Sequence, residues 1–332
     1  MYVVQSYPVA VILCVITMLC WGSWANTQKL ATKNWAFPLF YWDYTLGLIL
    51  LSLIFGFTLG NWGSTGQSFI VNLSQASTSA LGSAFLGGVI FNVANLLLVA
   101  AIDLAGMAIA FPIGIGLALV LGVLINFLAT PVGNPLFLFT GVALVSLAIV
   151  LDALAYQKIS TGSTTTKGIV ISLTAGLLMG FFFRFVAASM SADYQSIAPG
   201  LLTPYTALFI FSLGVFLSSF VFNSYFMFRP MKGSPVNYRD YFRLGSFRLH
   251  TIGLLGGIIW CIGMSFSLIA SEKAGYAISY GLGQGATLIA AIWGVFIWKE
   301  FKLAPSGTNR LLNLMFVSFV LGLALIIYSR YA

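Results

Sequence analysis

Ten runs of roughly 20 or more mostly apolar residues follow one another along this chain, joined by short polar connections. In a bilayer only a helix, or a closed barrel, satisfies every backbone polar group, and runs of this length fit the helix, so the expected fold class is all-α integral membrane. The spans are predicted at about 8–28, 37–60, 79–102, 105–128, 135–157, 168–190, 201–224, 249–271, 275–298 and 309–329. Charged residues make up 7% of the chain, against about 25% in a soluble globule. Little is left for a separate soluble domain, so the working part is the membrane bundle. Ser23-Trp24-Ala25 loosely resembles a cleavage site, yet no Lys or Arg precedes Pro8 as a signal peptide requires, and the first run is read as a spanning helix.

A duplication underlies the ten spans. Leu86 to Phe127 returns without a gap as Leu255 to Phe296, 169 positions on, with Leu-Gly-Gly opening both copies (Leu86, Gly87, Gly88; Leu255, Gly256, Gly257). Asp103 falls on Glu272, Gly106 on Gly275, Gly114 on Gly283 and Gly116 on Gly285. The repeat covers an odd number of crossings, so residues 1–158 and 159–332 are expected to form five-helix halves of opposite orientation within one membrane domain. This 5+5 inverted arrangement is that of an alternating-access carrier. Divergence between the copies is mainly one of polarity: Asn92 and Asn95 stand opposite Cys261 and Met264, and Ile115 opposite Gln284.

Basic residues set the orientation. Lys29, Lys33, Lys158, Lys167, Arg229, Lys232, Arg239, Arg243, Arg248, Lys299, Lys302 and Arg310 all fall in connections on one side, which the positive-inside rule makes cytoplasmic. Both termini are then extracytoplasmic, in a multi-pass protein of the plasma or inner membrane. The same loops account for the net charge of +8, since they meet anionic lipid. No basic stripe with interleaved aromatics suggests nucleic acid. Cys14, Cys20 and Cys261 lie inside predicted spans without the paired spacing of a metal site or disulfide frame. The single histidine, His250, reads as an interfacial residue, and the absence of HExxH, GxSxG or clustered carboxylates argues against an enzyme. No cofactor is expected. Glycine spacings such as Gly253/Gly257 and Gly281/Gly285 read as close helix packing, which serves a monomer and a homodimer equally.

Function is therefore sought among polar groups inside the membrane, where they are costly and tend to face a cavity. Asp43 and Asp152 lie roughly 8 to 9 Å from the cytoplasmic boundary and Arg184 roughly 24 Å from it, at about 1.5 Å per residue. Lys29 is the expected partner of Asp43, and Glu272 or Asp193 that of Arg184; each group is a candidate gate, with Asp43 the leading proton-carrying carboxylate and Asp152 a further coupling or gating candidate. Trp21, Trp24, Asn26, Tyr41, Asn92, Asn95, Tyr276, Tyr280 and Gln284 are expected to line one substrate cavity. Tyr276, Tyr280 and Gln284 follow at four-residue spacing and share a helix stripe. Stacking on Trp and hydrogen bonding to Asn and Gln suit a planar, amide-rich solute.

Several stretches bear a family resemblance. Cys20-Trp21-Gly22-Ser23-Trp24-Ala25-Asn26-Thr27-Gln28-Lys29, Tyr41-Trp42-Asp43-Tyr44, Gly275-Tyr276-Ala277, Gly283-Gln284-Gly285, Trp293-Gly294-Val295-Phe296 and Lys299-Glu300 resemble the ureide permease family. That family is close to the glucose/ribose-type uptake porters within the drug/metabolite transporter superfamily. The resemblance implies a ten-helix bundle with a central site and proton-coupled uptake of allantoin, uracil and related small polar solutes. One departure is the short Gln157–Lys167 connection, where plant members carry a long loop with a nucleotide-binding-like motif; nothing here supports ATP use. The alternatives are sugar uptake, and export of metabolites or drugs, which calls for a more apolar cavity. A membrane enzyme needs converging nucleophile and base, and a channel needs a continuous pore.

Overall fold

The computed structural model describes residues 1–31, 35–159, 165–231 and 233–332, with the backbone alone at 107 and 108. Lys33 and Lys232, counted above toward orientation, lie outside the described residues. Among the described residues ten helices are long and apolar enough to cross a membrane: α1 Tyr7–Ala31, α2 Phe37–Phe57, α3 Thr78–Ala105, α4 Ile109–Ala129, α5 Pro135–Gln157, α6 Thr166–Ser189, α7 Pro204–Phe228, α8 Phe247–Ala274, α9 Tyr276–Ile297 and α10 Thr308–Tyr328. The chain is thus an all-α integral membrane protein.

Local chemistry sets many of the helix starts. The first N–H groups of a helix have no partner within it, and leaving them bare in lipid is costly. Side chains of Ser77, Asn134, Thr165, Thr203 and Ser246 accept from the first turns of α3, α5, α6, α7 and α8. Proline in the first turn of α1, α2, α5 and α7 removes one such donor outright.

The main departure from the expected spans is in α3 and α8, which run to 28 residues each. That is about 42 Å of helix, longer than the roughly 30 Å hydrocarbon core, so Asp103, Arg248 and Glu272 are helical beyond the expected spans of 79–102 and 249–271. Each ends on a glycine with positive φ, Gly106 at 77° and Gly275 at 85°, where a Cβ is disfavoured and the chain turns directly into the next helix.

The repeated Leu-Gly-Gly finds its reason in packing. Helix α3 lies against α6 and α7, and α8 lies against α1 and α2. A Cβ on Gly88 would stand 2.1 Å from the Phe211 carbonyl oxygen of α7, and one on Gly257 would stand 1.9 Å from the Tyr44 carbonyl oxygen of α2. Irregularities also correspond: α4 carries a widened π-type turn at Pro112–Gly116, and its counterpart α9 is broken around Gln284 and Gly285.

The two ends of the bundle differ. At the end away from the basic connections, the short helix Phe69–Gln75 is tied to the α6–α7 connection: Asn72 Nδ2 donates to the Leu201 carbonyl at 3.0 Å and its Oδ1 accepts from Thr203 N–H at 2.9 Å. Below it Tyr194 donates to the Leu268 carbonyl at 3.1 Å and lies 2.9 Å from Ser271 Oγ. A second short helix, Tyr238–Leu244, lies at the basic end.

Candidate functional site

A cavity of about 770 Å³ runs into the bundle from the basic end, lined by residues of α1, α3, α4, α5, α6, α8 and α9. Its inner part is aromatic. Trp21 stacks on Trp260 with centroids 5.7 Å apart and planes 14° from parallel, and Phe91 lies 4.4 Å from the same indole. Trp21 Nε1 also donates to the Trp260 carbonyl at 3.2 Å, which fixes the ring's orientation. Met179 and Phe182 complete this apolar lining, while Asn95 and Gln284 add amides to it. Gln284 sits at the break in α9, about 20 Å along the helix from its basic end.

Of the residues expected to line a common cavity, Trp21, Trp24, Asn26, Asn95 and Gln284 do so, together with Lys29 and Asp152. Tyr41 and Asn92 stand behind the wall. Tyr41 OH donates to Asn92 Oδ1 at 2.9 Å, Asn92 Nδ2 donates to Ser218 and Ser219 at 2.8 and 3.1 Å, and Asn95 Nδ2 donates to Tyr41 OH at 3.3 Å. The relay leaves Asn95 Oδ1 as the unused acceptor on the cavity side, without a partner among the described residues.

Tyr276 and Tyr280 do not reach the cavity. Tyr280 is fully buried, its ring over Gly122 and its hydroxyl donating to the Met179 carbonyl at 3.1 Å. Tyr276 is buried toward the sealed end. Gln284 follows the tyrosines on the same stripe, its N–H bonded to the Tyr280 carbonyl at 3.0 Å, but the tyrosines pack against neighbouring helices and only Gln284, at the end of this helical segment, reaches the cavity.

The expected ion pairs are re-partnered. Lys29 bonds to Glu300 Oε1 at 2.7 Å, not to Asp43, because the end of α1 lies beside the end of α9. The ammonium also sits 4.2 Å from the Trp298 ring centre, and Trp298 Nε1 donates to Asn26 Oδ1 at 2.6 Å. Tyr156 OH bonds to Glu300 Oε2 at 2.6 Å. Burial pushes the Glu300 carboxyl up, but the hydrogen bonds from Lys29 and Tyr156 and the charge of Lys29 outweigh it, leaving the group below its ordinary range.

Asp43 lies off the cavity, its Cβ against Gly253 of α8. His250 Nδ1 is 3.0 Å from each of its oxygens, and Tyr241 of the short helix donates to Oδ1. His250 is therefore a hydrogen-bonding partner of Asp43. Burial, followed by the bond to Asp43, holds the Tyr241 hydroxyl well above its ordinary value. At the sealed end Glu272 pairs with Lys273 at 3.0 Å and Asp193 accepts from the Gln195 N–H, so Arg184 takes neither as a partner among the described residues.

The residues missed by sequence reasoning are Tyr156, Tyr241, Trp260 and Glu300. Glu300 carried a signal, since Lys299-Glu300 belongs to the motif quoted above. Its route to the cavity did not: Lys299 adopts a left-handed φ of 54°, and the turn places Glu300 N–H on the Gly294 carbonyl at 3.0 Å, folding the carboxylate back over the mouth.

This arrangement offers aromatic faces, the amides of Asn95 and Gln284 deep in the chamber with Asn26 and Gln28 also in its lining, and a charged mouth. Among the described residues no three His, Cys, Asp or Glu side chains gather as a metal site. A profile of the ureide permease family matches residues 157–329. Ureide permease 1 and ureide permease 2 of Arabidopsis thaliana are 22% and 24% identical, each aligned over 99% of this chain and 99% of the relative. Transmembrane protein 144 homolog A of Dictyostelium discoideum is 28% identical over 53% of this chain and 43% of its own. A solved crystal structure covering 98% of both chains superposes with a TM-score of 0.60 at 15% identity, a likeness of fold alone. With a family match over more than half its length and relatives aligned almost end to end, the chain belongs to the ureide permease family and is a multi-pass membrane transporter, not an enzyme.

Proposed function

We propose that this protein takes up a small polar solute of the ureide or nucleobase type, such as allantoin or uracil, together with protons, by alternating access across the cell membrane. The observation that carries this reading is the cavity itself: a chamber flanked by Trp21, Trp260 and Phe91, with the amides of Asn95 and Gln284 deep inside it, open at one end of the bundle and sealed at the other. A cyclic ureide presents alternating N–H and C=O groups on a flat ring, which amides pair with and indoles stack on. The relatives named as ureide permeases favour the same substrate class.

Support for alternating access comes from correspondence between the halves. The contacts of α3 with α7 and of α8 with α2 use glycines 169 positions apart, and α4 and α9 are irregular at matching depths, as in carriers built from inverted repeats around a midplane site. We take the basic end as cytoplasmic by the positive-inside rule, which makes this the inward-open state and leaves both termini outside. On this reading residues 1–158 and 159–332 rock against each other, and Lys29, Glu300 and Tyr156 form the inner gate.

The test is uptake of labelled allantoin, uracil and ribose into proteoliposomes with and without an inward proton gradient. Allantoin or uracil accumulation that rises with the gradient is the expected result. Ribose accumulation in their place would overturn the substrate class, and equal uptake with and without the gradient would overturn proton coupling.

A further inference from the structure

We infer that Asp152 binds the coupling proton. The inference rests on the proton-coupled reading above and names the group that reading leaves open. Acidic side chains around the membrane interior differ in what they can still do. Asp43 is off the cavity and held by His250 and Tyr241. Glu300 is engaged on one oxygen by Lys29 and on the other by Tyr156. Asp103 lines the wider mouth and also a side pocket toward α7. Asp152 lines the cavity one helical turn inward of Tyr156, and its Oδ1 is buried without a hydrogen-bond partner among the described residues.

A buried carboxyl oxygen without a donor is costly in a static wall, and it is what a group needs if a proton is to come and go there. The charged or titratable groups lining the cavity with Asp152 are Tyr156 on α5, Lys29 on α1, Asp103 on α3 and Glu300 after α9; of the helices packed against α5, α4 has none and α10 carries Arg310 and Tyr328 at its two ends. Among the described residues Lys29 bonds to Glu300, and Asp152 lines the same mouth as Glu300. Closing the mouth draws two carboxyl groups together out of water, and like charges so placed do not both stay ionised. In the outward-open state, with this mouth closed, Asp152 takes a proton from the extracytoplasmic solution that reaches the chamber and carries it as an O–H. When the mouth reopens to the cytoplasm, water takes the proton and the carboxylate is restored, so one proton moves inward per cycle.

The experiment uses labelled allantoin, or uracil if allantoin is not carried, in proteoliposomes holding the full chain. One proton per solute allows about tenfold accumulation for each pH unit of gradient. Wild-type protein is expected to approach that figure. Asp152→Asn is expected to lose gradient-driven accumulation while solute exchange at equal pH falls by no more than about threefold. If Asp152→Asn fails to assemble, Asp152→Glu, which keeps the carboxyl and moves it by about one bond, is expected to shift the pH of half-maximal uptake. Accumulation by Asp152→Asn equal to wild type, or an unchanged pH profile for Asp152→Glu, overturns the inference. A wild-type protein indifferent to the gradient refutes proton coupling itself, and that outcome is separate because it needs no variant.

Discussion

Gly82 and Gly88 lie six residues apart on α3, and the same substitution at each should move stability in opposite directions. A Cβ at Gly82 meets nothing within 4 Å, whereas one at Gly88 would stand 2.1 Å from the Phe211 carbonyl oxygen and 3.0 Å from the Val215 nitrogen. The contact is reciprocal, because a Cβ at Gly214 of α7 would stand 2.3 Å from the Phe85 carbonyl oxygen. Backbone faces backbone here, so no side chain can rotate away, and α3 and α7 must separate by about 1 Å to restore van der Waals distance. Overpacking of this kind costs about 1 to 3 kcal/mol. Gly→Ala in a helix otherwise gains about 0.8 to 1 kcal/mol by limiting the unfolded chain. That gain applies to both variants, so Gly88→Ala should fall about 1 to 3 kcal/mol below Gly82→Ala. Thermal unfolding of both variants in the same mild detergent reads the difference as a lower Tm for Gly88→Ala. Equal Tm values would refute the claim that the repeated glycines exist for helix contact.

Two further outcomes follow from the cavity and its mouth. Asn95→Ala and Gln284→Ala should each weaken allantoin binding by about 10 to 100-fold, the loss of one hydrogen bond from a desolvated partner, measured by ligand-induced thermal stabilisation; unchanged affinity would remove both amides from the site. The Lys29–Glu300 pair is partly exposed and should contribute about 1 kcal/mol or less. Because the Glu300 carboxyl is held below its ordinary 4.5, that contribution is full above the unfolded value and disappears as pH falls through the lower folded one. The Tm gap between wild type and Glu300→Gln should thus be constant above about pH 5 and narrow as pH falls through the lowered folded value, and a gap that widens on acidification would contradict the assigned pair.

Much of the fold was legible because lipid makes it so: runs of apolar residues had to be helices, and caps such as Thr165 and Thr203 sit where the runs begin. What hydropathy obscured was the length of α3 and α8, whose ends carry Asp103, Arg248 and Glu272 into helix beyond the apolar window. Site residues were legible by type and depth, not by direction. Trp21, Asn95 and Gln284 declared themselves as polar or aromatic groups at mid-span, but spacing along one helix cannot say which neighbour a face meets, so Tyr280 was assigned to a cavity when it covers Gly122. Ion pairs suffered for the same reason. Asp43 and Lys29 are at similar depth, yet Gly253 turns Asp43 toward α8 while a left-handed Lys299 brings Glu300 to Lys29.

The cavity holds both members of two repeat pairs, Phe91 with Trp260 and Ile115 with Gln284, and only the second pair differs in polarity to the extent of hydrocarbon against an amide. A chamber made by duplication starts with two equivalent walls, and a solute between such walls docks equally well heads or tails. Here one wall offers an amide and its counterpart only hydrocarbon. At that second pair the chamber is polar on one side and apolar on the other, so the two halves no longer present equivalent surfaces to its interior.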